Sequence, residues 1–314
     1  MQGTLNFAHL GRAARAVVGR EIHKFLRQPA RLASALVRPL LWFVVFATGF
    51  HNVFGVSIIP PYETYIEYKV YMLPGLLGMI ALFNGMQSSL SLVYDREMGL
   101  MRLLLTAPLN RAWLLGFKLL AGTSLSMLQM LAFLLVAALL GVEVEWLHAL
   151  LALPTLMLAA VLMASMGLVL SVHVRQLENF AGAMNFVIFP MFFISSALYP
   201  LWKFEEAGAW WLYQLAQINP FTQAVETMRF ALHGQLYGTG LIYGVVGTLV
   251  FFGLAVRGYD PQRGWMRARG VACSASQNAG SQVCTWAAKN LACCVRLDTD
   301  TSSPATKKRM TSNT

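Results

Sequence analysis

The residues with the most chemistry to offer in this 314-residue chain stand in one stretch, YDREMGLMRLLLTAPLNRAW, at positions 94–113. Asp95, Arg96 and Glu97 place three charges in a row. Met98, Gly99, Leu100, Met101, Arg102, Leu103, Leu104 and Leu105 follow, and then Thr106-Ala107-Pro108. Pro108 has no N–H and drives Ala107 out of the α region, so the pattern predicts a short helix that ends before it. Acids in its first turn suit the positive end of the helix dipole. Charges of both signs beside a leucine-rich face are equipment for docking. On these residues alone three covers for that face stay open: the bilayer surface, the chain's own spans, or a soluble partner.

Reaction chemistry has little support elsewhere. The chain contains no G-x-x-x-x-G-K-[ST] loop for nucleotide phosphates and no H-E-x-x-H pair for zinc. The histidines at 9, 23, 51, 148, 173 and 233 are scattered and give no ligand pair, so metal is expected to be absent. No serine has a base at helical spacing. None of the 14 acids falls inside the spans drawn below, which argues against the ion-coupled carriers that need one there.

The elements that must hold the stretch are membrane elements. The chain is 57% hydrophobic and only 12% charged, about half the charge of a soluble domain, which carries roughly 25%. The expected fold class is all-α: a polytopic membrane protein with six transmembrane helices. Apolar runs place the spans at 36–54, 70–93, 114–142, 147–174, 180–198 and 238–256. Residues 1–35 form a region with a basic amphipathic helix, suited to the membrane interface. Residues 36–257 form the transmembrane domain. Residues 199–237, broken at Asn219-Pro220, read as short helices at the interface or re-entering the bilayer. The tail, 258–314, carries all four cysteines and reads as mostly disordered.

Lys and Arg set the orientation. Seven lie in the N-terminal region, four in the loop up to Lys118, one at Arg175 and nine from Arg257 onward, against only Lys69, Lys203 and Arg229 on the opposite side. Acids divide evenly between the sides. Both termini and the 94–113 stretch are therefore expected to be cytoplasmic. Basic residues are not interleaved with aromatics, so nucleic acid is not an expected partner.

Two stretches now carry a resemblance. One is acid-Gly-x-x-x-x-Leu-x-x-x-Pro, here Glu97, Gly99, Leu104 or Leu105, and Pro108, followed by Arg111. The other is INPFTQAVETMR, with Asn219, Pro220, Phe221, Ala224, Glu226 and Arg229. With the topology, over roughly 14–269, the chain resembles the membrane (permease) subunit of a type 2 ATP-binding-cassette exporter. The resemblance implies a coupling helix at 94–113 that sits in a groove of a separate ATPase. Asp95, Arg96, Glu97 and Arg102 would make polar contacts there. Met98, Gly99, Leu100, Met101 and Leu104 would fill the groove, with Pro108 ending the helix. It implies no cofactor in this chain, with ATP and Mg bound by the partner. It also implies a second permease copy or related subunit, export as the direction, and a bacterial inner membrane. The outer segment, with Trp202, Trp210, Trp211, Asn219 and Pro220, would form a gate. Phe83, Asn84, Gln87, Asn185 and Ser195 are the candidate lining of the translocation path, which suits an amphipathic or lipid-like cargo. A non-catalytic membrane scaffold or assembly protein would share this topology, and engagement of an ATPase by 94–113 separates the two.

Overall fold

The computed structural model describes residues 29–49, 61–62, 67–98, 111–174 and 176–258, with single positions at 11, 15, 19, 23 and 27. Their regular structure is helical throughout. The elements are α1 (Pro29–Gly49), α2 (Tyr68–Glu97), α3 (Arg111–Leu139), α4 (Trp146–Leu151), α5 (Leu153–His173), α6 (Leu177–Phe193), α7 (Trp202–Glu206), α8 (Trp210–Ile218), α9 (Pro220–Leu232) and α10 (Gly238–Gly258). The cysteine-bearing tail, most of the basic N-terminal helix and the leucine-rich part of the 94–113 stretch lie outside the described residues.

Among the described residues, four helices are long and apolar enough to cross a membrane: α2, α3, α5 and α10. The apolar parts of α1 and α6, Leu36–Gly49 and Leu177–Phe193, are shorter. The first apolar run belongs to a helix that already starts at Pro29, which puts Arg38 near its middle. The run 147–174 is two helices. Ala152 separates α4 from α5, where Pro154 withholds the N–H that a continuous helix needs.

The bundle is built around α2. It packs on α1, α3, α5, α6 and α9, and its most extensive partner is α5. Because lipid is as apolar as leucine, helices in a bilayer hold together by close contact rather than by the hydrophobic effect. Small residues supply that contact. A Cβ added at Gly85 of α2 would stand 2.7 Å from the backbone nitrogen of Ala164. One added at Gly167 of α5 would stand 2.7 Å from the Gly85 carbonyl oxygen. The two backbones therefore touch where these glycines cross. The glycines of α10 play a looser part, since Gly244 and Gly247 meet only the side chains of Leu158 and Leu162.

Much of the remaining apolar surface points outward. Only 17% of the apolar window of α10 is buried, and Ile242, Val246 and Leu249 are exposed on it. Phe186 of α6 is 80% exposed. Such a surface is stable only against lipid tails or another apolar chain.

The crossing predicts a contrast between two glycines. Gly85→Val drives side-chain atoms into the α5 backbone and lowers stability by about 1–3 kcal/mol. Gly182→Val, on α6 with nothing within 4 Å of the added Cβ, stays within about 0.5 kcal/mol of the parent. Thermal denaturation of the purified proteins in detergent reads the difference, and equal melting of the two variants contradicts the close crossing.

Candidate functional site

Polar groups of this bundle collect at three levels of α2. The first is the end that carries Asp95. Asp95 forms an ion pair with Lys118 of α3, and the two side chains are only 15% and 7% exposed. Position along the chain suggests Lys118 is a loop charge, yet it lies seven residues into α3 and inside the protein. Two charges removed from water hold firmly only as a pair, since either one alone would keep its full desolvation cost. The pair thus pins the last turn of α2 to the second turn of α3. The segment between them is the 99–110 connection.

Glu97 makes a second tie at this end. Its Oε1 accepts a hydrogen bond from the backbone N–H of Leu177 at 2.8 Å. Leu177 opens α6, whose own N-cap Gln176 supplies no side-chain cap. A carboxylate from α2 therefore serves as the missing cap and sits at the favoured end of the α6 dipole. Met98, the last described residue before the connection, is 60% exposed. Arg96 lies in the last turn of α2. Gly99, Leu100, Met101, Arg102, Leu104 and Pro108 lie outside the described residues. Of the acids expected to face an ATPase, Asp95 is turned onto Lys118 and Glu97 reaches α6.

The second level is halfway along α2. Arg38, Phe83, Asn84 and Gln87 line a cavity of about 70 Å³, with Pro39, Met79 and Ile80. The Arg38 guanidinium carbon stands 4.3 Å from the centre of the Phe83 ring, a cation–π contact. Asn84 donates its side-chain amide to Oε1 of Gln129, which is buried on α3. Three of the five expected path residues, Phe83, Asn84 and Gln87, thus meet at one place. Asn185 stands exposed on α6, and Ser195 is buried with its hydroxyl on the Phe192 carbonyl. Arg38 and Gln129 are missed from sequence. An arginine that stands just ahead of a long apolar run reads as a border residue until the helix is seen to begin nine residues earlier.

The third level is the Tyr68 end. After α6 the backbone runs irregularly from Ile194 to Pro200, and its carbonyls need partners where water is scarce. Tyr71 Oη donates to Ser196 O at 3.1 Å, and Tyr68 Oη donates to Leu198 O at 2.7 Å. Arg229 Nη2 donates to the same Ser196 O at 2.7 Å, its guanidinium lies 4.1 Å over the Tyr71 ring, and Nη1 pairs with Glu226 one turn back. Asn219 joins two helix ends. Its Nδ2 donates to Met191 O and Ile194 O at 2.8 and 3.0 Å, and its Oδ1 accepts from Phe221 N at 3.0 Å as the N-cap of α9. Pro220 follows at the first helical position, where its missing N–H costs nothing.

Among the expected gate residues, Trp210 and Trp211 are 66% and 65% exposed, and Trp202 lies under the Lys203 ammonium at 4.7 Å. Beside this cluster the Tyr62 ring meets His233 edge-on at 4.7 Å. Burial pushes the Tyr62 phenol up to about 12 against the opposing pull of Arg229, so it is a neutral hydroxyl near pH 7. Sequence counting places Arg229 among the outer loop charges. The Glu-x-x-Arg spacing of 226 and 229 is the signal that a single helix pairs them.

The Asp95–Lys118 pair yields a double-mutant test. Lys118→Met leaves Asp95 buried without a counter-charge and destabilises the protein by about 3–5 kcal/mol. Adding Asp95→Asn returns most of that loss, as read by thermal denaturation in detergent. Additive losses in the double variant contradict a buried pair.

Comparison with known proteins agrees on one family. Residues 12–233 match the family described as ABC-2 type transporter. Over 215 residues the chain is 30% identical to the "Putative transport permease ycf38" of Cyanophora paradoxa, across 65% of this chain and 68% of that protein. The protein of the same name from Porphyra purpurea is 28% identical over 222 residues, across 68% and 72%.

Proposed function

The chain belongs to the ABC-2 type transporter family, and on that premise we propose that it is the permease subunit of an ATP-driven exporter. It is a membrane protein with the architecture of a transport permease. In the proposed arrangement α1, α2, α3, α5, α6 and α10 are six spans, and α7 to α9 are short helices re-entering from the outer side. Both termini and the 94–113 coupling segment, which begins in the last turn of α2 and ends in the first turn of α3, face the cytoplasm of a bacterial cell, in its inner membrane. Two copies, or this chain and a related one, form the path. Two ATPase subunits on the cytoplasmic side bind ATP and Mg, and this chain hydrolyses nothing itself.

One observation carries the coupling. The ends of α2 and α3 that flank the 99–110 connection form a fixed base. Asp95 is bound to Lys118 on one side of it, and Glu97 is bound to the start of α6. A force on a loose loop is lost in that loop. A force on this segment reaches α2, α3 and α6 together, and α2 passes it to α5 through the glycine crossing. Two ATPases that close on ATP would thereby move whole helices. The bend at the Tyr68 end, tied by Asn219, Tyr71 and Arg229, is the place where that motion would open the outer gate around Trp202, Trp210 and Trp211. Met98, Leu100, Met101 and Leu104 fill the ATPase groove in this reading, with Arg96 and Arg102 as its polar contacts and Pro108 as its end. Asp95 and Glu97 serve it chiefly by holding its base.

The test is Leu104→Asp in the reconstituted complex. A charge placed in an apolar contact leaves insertion of the chain intact and abolishes its stimulation of the partner's ATP hydrolysis. Full stimulation by that variant refutes the coupling assignment.

A further inference from the structure

We infer that the cavity at Arg38 binds the anionic headgroup of an amphiphile, a phosphate or a carboxylate, and that the exported cargo carries such a group. As a statement about cargo this rests on the export reading above. As a statement about binding it stands on the geometry alone.

Depth comes first. Phe83 is 15 residues from the start of α2 and 14 from its end, and Arg38 is nine from the start of α1 and eleven from its end. At ~1.5 Å per residue the guanidinium lies roughly 20 Å from either end of α2. A membrane arginine near a helix end can reach the interface with its long side chain. This one instead lies against the ring at the midpoint of the longest helix in the bundle, while it remains exposed. Charge at such depth is costly and is ordinarily paired.

Pairing is what the cavity lacks. Its described lining offers a cation, an aromatic face and two carboxamides, and none of it is acidic. The nearest acid along α2 toward its end, Asp95, is committed to Lys118. A guanidinium with carboxamide donors beside it is a good match for a carboxylate or phosphate, which it can bind through two parallel hydrogen bonds.

Size and surroundings define the rest of the ligand. The cavity, about 70 Å³, has room for a small anionic headgroup such as a phosphate or a carboxylate. Next to Arg38, Val37 and Leu41 of α1 are 55% and 58% exposed. A tail leaving the headgroup has an apolar track to follow.

The experiment uses the purified full chain in the uncharged detergent dodecyl maltoside, with dodecyl phosphate as probe and native mass spectrometry as readout. The expected result is one saturable dodecyl phosphate per chain. Arg38→Gln weakens it by about tenfold or more, and Arg38→Lys keeps part of the affinity. Gln87→Glu gives Arg38 an internal carboxylate and weakens the probe in the same way while thermal stability is held. Inorganic phosphate displaces the probe only at concentrations about a hundredfold higher or more, since it lacks the apolar tail. Unaltered binding in both Arg38→Gln and Gln87→Glu overturns the site. Displacement by inorganic phosphate at equal concentration overturns the amphiphile and makes the ligand a free anion. Because no ATPase is present, failure here leaves the coupling reading standing, and failure of Leu104→Asp leaves this one standing.

Discussion

Inside a bilayer no water is at hand to satisfy a polar group, and the whole arrangement follows from that constraint. Charges and free carbonyls drawn into the bundle are costly unless they find partners. α2 is where most of them do. Asp95 meets Lys118 at one end, Asn84 meets Gln129 in the middle, and Tyr68 and Tyr71 reach the irregular backbone after α6 at the other. These bonds are directional, whereas apolar contact is not. They therefore fix the rotation and height of α2 against its neighbours, and the Gly85–Gly167 crossing fixes its distance from α5.

The three levels have different chemical characters, and the difference is informative. At each end level a buried cation has its carboxylate, Lys118 with Asp95 and Arg229 with Glu226. Closed pairs hold structure, because breaking them leaves a buried charge. The middle level has a cation over an aromatic face, in a cavity that two carboxamides also line. The anion site proposed at Arg38 rests on that difference.

The spans are legible in the sequence because twenty or so apolar residues in a row leave few alternatives. α2, α3, α5 and α10 fall where the apolar runs do. The helix start at Pro29 and the break at Ala152 are harder, since both depend on one backbone bond rather than on a long average. The site is legible in part. Phe83, Asn84 and Gln87 share a helix face by spacing alone, and they do meet. Lys118 and Arg229 are counted as loop charges in the sequence because a count along the chain does not see a partner on another turn or another helix. Arg38 is missed for the same reason. Its meaning lies in Phe83, which is 45 positions away in sequence and one ring's width away in space. Asn185 lies on the apolar helix α6 and Ser195 just past its end, and only packing separates them from the cavity.

The central claim is that this permease works as a pair driven by a separate ATPase through the base formed at Asp95 and Glu97. Purification of the tagged full chain from its host in mild detergent, with the mass of the intact complex and its ATP hydrolysis measured together, tests it most directly. The account predicts a particle with two permease copies and two ATPase subunits that hydrolyses ATP. A chain that purifies as a lone monomer, with no ATPase attached even after crosslinking, would contradict it.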